Sequence, residues 1–280
     1  MKFLRFGPAG QEKPGCQLDD GTLRDLSGLV RDIAPDTLEV MTAITPDQAA
    51  ACPRVNGTPR LGPCLSHTGN FIAIGLNYVQ HAIETNAPIP DEPIMFNKAP
   101  SCISGPNDPV IMPKGATKLD WEVELAFVIG KRAHHVPEAE ALAHVFGYMV
   151  CNDMSERAFQ LERGGQWMKG KCCPTFGPIG PWLVTADEVG DPQTLDLFME
   201  VNGERLQNSN TSDMIFPIRR IVSYLSDFLV LEPGDIVTTG TPSGVGLGMV
   251  PERYLKVGDT MRLGIARLGE QRQVIAPFGG

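Results

Sequence analysis

The stretch Lys118–Lys131, KLDWEVELAFVIGK, decides how the rest of the chain is read. Val123, Leu125, Phe127 and Ile129 alternate, the period of a β-strand with one face turned to a core. Glu122 and Glu124 therefore share the opposite face, and Ala126 and Val128 follow them there. A strand that turns apolar on both faces is buried on both, and a carboxylate in such a place needs a compensating partner. Two readings stay open on this stretch alone: a solvent-facing strand edge, or a buried acid pair with a task.

The chain of 280 residues is 42% hydrophobic and 20% charged, a globular balance that can build a sizeable core. Its net charge of -9 speaks against a nucleic-acid groove or an anionic membrane surface as partner. A small anionic substrate stays possible, because a bound cation inverts the local field. The start, MKFLRFGPAG, lacks a signal-type apolar core, and no run of about 18 apolar residues occurs. The seven cysteines contain no C-x-x-C pair, which fits a cytoplasmic protein in a reducing compartment. Cys172 and Cys173 are adjacent and form the one pair open to oxidation.

Residues 1–65 read as a small α+β unit: strands at KFLRF and TLRDL, then a helical stretch around Asp36 to Ala50. The Pro- and Gly-rich CPRVNGTPRLGPC reads as a linker to a larger domain, residues 66–280. There, short apolar runs such as FIAIG, PIMFNK, VFGYMVCND, LDLFMEV, DIVTTG and TMRLGI read as strands, and Asn202-Gly203 signals a hairpin. Helical patterns are fewer: NYVQHAIE, PEAEALAHV and DMIFPIRRIVSYLSDFL. The fold class is α+β and β-dominated, without regular βαβ alternation.

Two glycine-rich stretches look like phosphate loops and fail as such. GQWMKGKC (165–172) has Cys where Ser or Thr should meet magnesium, and GVGLG (244–248) has the wrong spacing for a dinucleotide fingerprint. The acids carry more. Asp153 ends the apolar run VFGYMVCND, so Glu122, Glu124 and Asp153 form an oxygen-only set suited to magnesium or manganese rather than zinc. Such an ion leaves positions for a 2-oxo acid and would polarise its keto group. His81 and Glu84 stand three apart in a helical stretch, where a carboxylate would orient an imidazole as a general base; a surface ion pair is the plain alternative. His135 and Glu138 repeat the spacing, but Pro137 between them marks a helix start. Arg157, Gln160 and Lys171 are candidate anion contacts or a solvated helix face, and Thr241 in TTGTPSGVG is a hydroxyl in a turn.

Together GLNYVQHAIE, PIMFNKAPSCISGPNDPV, DWEVELAFVIGKRA, GYMVCNDMSER, KGKCCPTFGPIGPWLV, VNGERLQNSNTSDMIFPI and LEPGDIVTTGTPSGVG resemble the fumarylacetoacetate hydrolase family. The resemblance implies a mixed β-roll catalytic domain, a divalent metal, usually magnesium with manganese possible, and a homodimer. It implies chemistry on 2-oxo or 2,4-dioxo acids. It assigns Glu122, Glu124 and Asp153 to the metal, and His81 and Glu84 to a catalytic dyad on a lid, with TNAPIPDEP after it. It gives Lys171 a catalytic and substrate-binding role, and Gln160, Thr241 and Arg157 substrate contacts. The expected reaction is hydrolysis of a carbon–carbon bond to pyruvate and a carboxylic acid. Decarboxylation or tautomerisation of a 2-oxo acid, and a non-catalytic binder of small acids, are the alternatives. MKFLRFGPAGQEKPG and SERAFQLERGGQWMKGK resemble members acting on 2,4-dioxo-3-deoxy sugar acids. That branch often reads Gly-Cys-Asp-Thr-Phe after the lysine; here Cys172, Cys173, Pro174, Thr175 and Phe176 follow, a change expected to reshape one wall of the pocket.

Overall fold

A computed structural model describes residues 1–279. Its centre is a ten-stranded mixed sheet. The strand order is Leu23–Asp25, Lys13–Gln17, Lys2–Phe6, Gly177–Thr185, Val145–Asn152, Val123–Ile129, Ile236–Thr238, Phe71–Gly75 and Ile94–Lys98, with Ile103–Ser104 pairing off Gly177–Thr185. A second, five-stranded sheet runs Glu204–Asn210, Asp196–Val201, Thr260–Ile265, Gly269–Ala276 and Val110–Ile111. The fold is α+β and β-dominated, as expected. Among the described residues the longest helix is Ile218–Phe228, which buries Ile218, Ile221, Val222 and Leu225. No described helix is long and apolar enough to cross a membrane.

Val123–Ile129 lies in the middle of the large sheet, and all seven of its residues are buried. The solvent-facing-edge reading of Glu122 and Glu124 is therefore overturned. Antiparallel pairing sets Glu124 opposite Cys151 and Val123 opposite Asn152. Glu122, Glu124 and Asp153 consequently come together at one end of two neighbouring strands.

Several sequence readings change. The helix expected over 36–50 is two short helices, Leu38–Thr42 and Pro46–Ala51, because Thr45 restarts the chain with a capping box to Gln48. PEAEALAHV makes only the 3₁₀ turn Ala141–His144, since Val145 already belongs to a strand. Gly177–Thr185 is a central strand that Gly177, Pro178, Gly180 and Pro181 disguise as a loop. Its ladder with Val145–Asn152 slips between Tyr148 and Val150, close to the proline that has no N–H to give. Residues 1–65 enter this same sheet through Lys2↔Val184 and Phe3↔Leu183, so a strand pair crosses the expected linker boundary.

Buried amides join the second sheet to the strand that carries the acids. Gln207 accepts from Val123 N at 3.0 Å and donates to Thr241 Oγ1 and Pro242 O, both at 2.8 Å. Asn152 accepts from Glu122 N at 3.2 Å and donates to Gln273 at 3.1 Å. Gln271 donates to the carbonyls of Val150 and Gly180, each at 2.9 Å. Polar groups this deep are stable only when paired, so each amide fixes backbone it touches. Gln207→Leu should strand the Val123 N–H and the Pro242 carbonyl and lower stability by at least about 2 kcal/mol. Denaturant unfolding of the variant measures this, and an unchanged midpoint would show that the amide is not a clamp.

Candidate active site

Glu122, Glu124 and Asp153 are 3%, 2% and 1% exposed. One oxygen from each lies within 4.8 Å of the others. Three buried cations face them. Lys171 Nζ stands 2.5 Å from Glu122 Oε2 and 2.7 Å from Asp153 Oδ2. Arg157 donates from Nη2 to Glu122 Oε1 at 2.6 Å and from Nε to Asp120 Oδ2 at 2.8 Å. Lys98 Nζ reaches Asp153 Oδ1 and the Lys171 carbonyl, both at 2.5 Å.

Four carboxylates thus meet three cations, and Glu124 is the acid without one: its hydrogen bond is from Gly240 N to Oε2 at 2.9 Å. Burial, then Asp153 and Glu122, pushes the Glu124 carboxyl well above its ordinary range. Burial presses Glu122 the same way, but Lys171 and Arg157 outweigh it and hold that carboxyl low. Burial pulls the pKa values of Lys98 and Arg157 down; Asp153 in the first case, Glu122 and Asp120 in the second, outweigh it and raise them above their ordinary values. A close, buried, all-oxygen set with surplus negative charge fits a hard divalent cation such as magnesium or manganese.

His81 sits on the short helix Val79–Glu84 and is 7% exposed. Its Nδ1 lies 2.8 Å from Glu84 Oε1, and Glu84 Oε2 accepts from Gly244 N at 2.8 Å. With Glu84 ionised, Nδ1 carries the proton and Nε2 is left as a base. Gly244 has φ +102, and a Cβ there would run into the Leu206 carbonyl, so glycine is required. The GVGLG stretch therefore does cradle anions, but they are the chain's own. Gly244 holds Glu84, while Gly246 N and Leu247 N hold Asp120 at 2.7 and 3.1 Å.

One cavity of about 190 Å³ is lined by His81, Glu122, Glu124, Asp153, Arg157, Gln160, Lys171 and Thr241. Glu84 stands behind His81, outside the lining. Gln160 accepts from Arg157 Nη1 at 3.1 Å, which leaves its amide nitrogen without a protein partner. Thr241 is at the wall, but its hydroxyl already donates to Val123 O at 2.9 Å. His135 is an exposed partner of Asp227 instead of a site. No residue of Cys172–Phe176 lines the cavity; the Cys172 thiol accepts from Ala99 N at 3.1 Å, beside Lys98, so the departure reaches the pocket through Lys171 and through the neighbours of Lys98. All seven cysteines are free. Lys98 and Asp120 escaped the sequence reading. No local pattern marks Lys98 at the end of PIMFNK, and Asp120 finds Arg157 only through the fold.

The model of the fumarylacetoacetate (FAA) hydrolase C-terminal domain matches residues 70–276. The chain belongs to this family. A Burkholderia orbicola (strain MC0-3) relative, named only provisionally as a hydrolase, is 55% identical over 98% of both chains. Fumarylacetoacetate hydrolase from psychrophilic Exiguobacterium antarcticum superposes with TM-score 0.88 at 34% identity, covering 99% of each chain. Maleylpyruvate hydrolase from Sphingobium sp. SYK-6, solved with manganese(II) and pyruvate, gives TM-score 0.82 at 29% identity, again over 99% of each.

Because the folded-state pKa of Glu124 is raised above its ordinary 4.5, its proton favours the fold most at acid pH. That contribution fades as pH rises through the raised value. At neutral pH with chelator present, Glu124→Gln should therefore melt higher than the native protein. Manganese at a hundred times its dissociation constant should stabilise the native protein by about 2.7 kcal/mol and the variant hardly at all. Thermal unfolding with and without metal checks both, and a variant that still gains from manganese would remove Glu124 from the ligand set.

Proposed function

We propose that the protein hydrolyses a 2,4-dioxo acid at its C3–C4 bond, giving pyruvate and a carboxylic acid. The observation that carries this is the His81–Glu84 pair opening on the cavity that holds the three acids. His81 Nε2 takes a proton from a water, and the hydroxide attacks C4. The tetrahedral alkoxide collapses, the C3–C4 bond breaks, and its electron pair passes into the pyruvate enolate. Protonated His81 then returns the proton, so one water is consumed for each bond cleaved.

Glu84 keeps the proton on Nδ1 and favours the imidazolium as it forms. It is itself fixed by Gly244 N, so the base is held without mobile side chains behind it. Lys171 and Arg157 supply positive charge beside the substrate's reacting end, where negative charge develops. The Gln160 amide, whose oxygen accepts from Arg157 Nη1, would offer its nitrogen as a further donor to the substrate. A divalent cation held by Glu122, Glu124 and Asp153 would supply Lewis-acid stabilisation of charge on the C2 oxygen.

A second reading, isomerisation or decarboxylation of a 2-oxo acid, has support in solved relatives named as isomerases. Water attack needs the base, whereas loss of carbon dioxide does not. His81→Ala should lower kcat for cleavage by about 10²–10⁴ while manganese binding persists. Product analysis should give pyruvate and acid in equal amounts. Unchanged turnover in the variant, or carbon dioxide without pyruvate, would remove the hydrolytic assignment.

A further inference from the structure

The cavity lining is of two unlike kinds. Its titratable groups are His81 and the cluster of Glu122, Glu124, Asp153, Arg157 and Lys171. The rest is mainly an apolar wall of Ile74, Leu76, Phe96, Leu161, Trp167 and Leu247. The Phe96 ring lies 5.4 Å from Lys171 Nζ, and Trp167 meets Phe96 edge-on at 5.3 Å between centroids. Thr85, a hydroxyl in the same lining, already donates to His81 O at 2.8 Å.

Two backbone features serve the wall. A Cβ at position 75 would lie 2.7 Å from Trp167 Cζ3, so Gly75 gives the indole its place. Leu76 has φ +49, a left-handed conformation that costs a leucine and suits glycine or asparagine. The turn is held by Asn77, which donates to Phe216 O at 3.0 Å and Thr239 O at 2.8 Å and accepts from Phe216 N at 2.7 Å. An apolar side chain thus stands where the backbone would favour none, as happens where strain serves a site.

We propose that this apolar wall selects the acyl half of the substrate, and that the half it takes is uncharged and apolar, a short alkyl or aryl group. The proposal rests on the 2,4-dioxo acid reading of the same site. A second carboxylate here would be buried without a partner, and a polyhydroxylated chain would lose water without gaining donors or acceptors. The wall thus disfavours the sugar acids that the resemblance of MKFLRFGPAGQEKPG and SERAFQLERGGQWMKGK suggested. Gly75, Leu76, Phe96 and Trp167 are specificity residues; none touches the bond that breaks.

Manganese-loaded enzyme should cleave 2,4-dioxohexanoate and 4-phenyl-2,4-dioxobutanoate with kcat/KM at least about tenfold above dioxo acids ending in a carboxylate or a polyol chain. The reverse order would overturn the proposal. Calorimetric titration of the same loaded protein should show 2-oxohexanoate binding about tenfold tighter than 2-oxoglutarate. Equal or inverted affinities would overturn it too. If that preference holds and no dioxo acid is cleaved, the hydrolase reading fails and the pocket assignment stands. Leu76→Gly relieves backbone strain, so it should melt no lower than the native protein. It and Trp167→Ala should each raise KM for the alkyl and aryl substrates about fivefold or more, with little effect on the charged ones. Unchanged apolar KM in both variants would remove the wall from substrate selection.

Discussion

The protein depends on an unbalanced buried charge cluster. Asp120, Glu122, Glu124 and Asp153 face Lys98, Lys171 and Arg157, and all seven are nearly inaccessible. Charges at this depth are costly unless paired, and removing one member leaves its partner uncompensated. The surplus resides on Glu124, which has a backbone donor and no cation. Burial and that surplus raise the Glu124 pKa well above its ordinary value and so favour its protonated form. A divalent cation relieves it differently, by turning the cluster net positive. That is the condition an anionic substrate needs in a protein of overall charge -9.

Such a cluster survives only in a scaffold that cannot relax around it. The acids come from the middle of a ten-stranded sheet, where neighbouring strands prescribe their spacing. The second sheet then ties that region by side-chain amides instead of apolar packing alone. Gln207 links Val123 to Thr241, and Asn152 links Glu122 to Gln273. Thr241 shows the division of labour. It lines the cavity, yet its hydroxyl is committed to the strand that bears the acids. Its hydroxyl therefore serves the rigidity of the site.

Much of the site was legible because its signals are local. Acids on a strand apolar on both faces, an acid ending an apolar run, and a histidine three residues before a glutamate are patterns within a few residues of each other. What stayed hidden depends on distant contacts. Lys98 closes a strand whose exposed and half-buried residues alternate, and only the fold brings its ammonium to Asp153 across 55 positions. Arg157 read as an anion contact, and the fold shows it occupied by Asp120 and Glu122. Gly177–Thr185 was hidden by its own glycines and prolines, which a central strand tolerates here through a slipped register. The glycines of GVGLG have the wrong spacing for a nucleotide loop, yet their N–H groups do bind carboxylates of the chain itself, which sequence spacing could not identify.

The same geometry brings the acid cluster and His81, with Glu84 behind it, to one cavity. Lys171 and Arg157 already pair with oxygens of Glu122 and Asp153, two of the three acids that could hold a cation. Their pairing keeps those oxygens oriented and close while adding positive charge that opposes a second cation. Divalent affinity must therefore be a compromise between preorganisation and repulsion. An incoming carboxylate favours the loaded state, because it meets two organic cations and a metal in one place. Binding of an anionic substrate and binding of the cation are then mutually reinforcing by linkage. Glu124 would take part in that balance differently from Glu122 and Asp153, since among the described residues it has a backbone donor and no cation in hydrogen-bond reach.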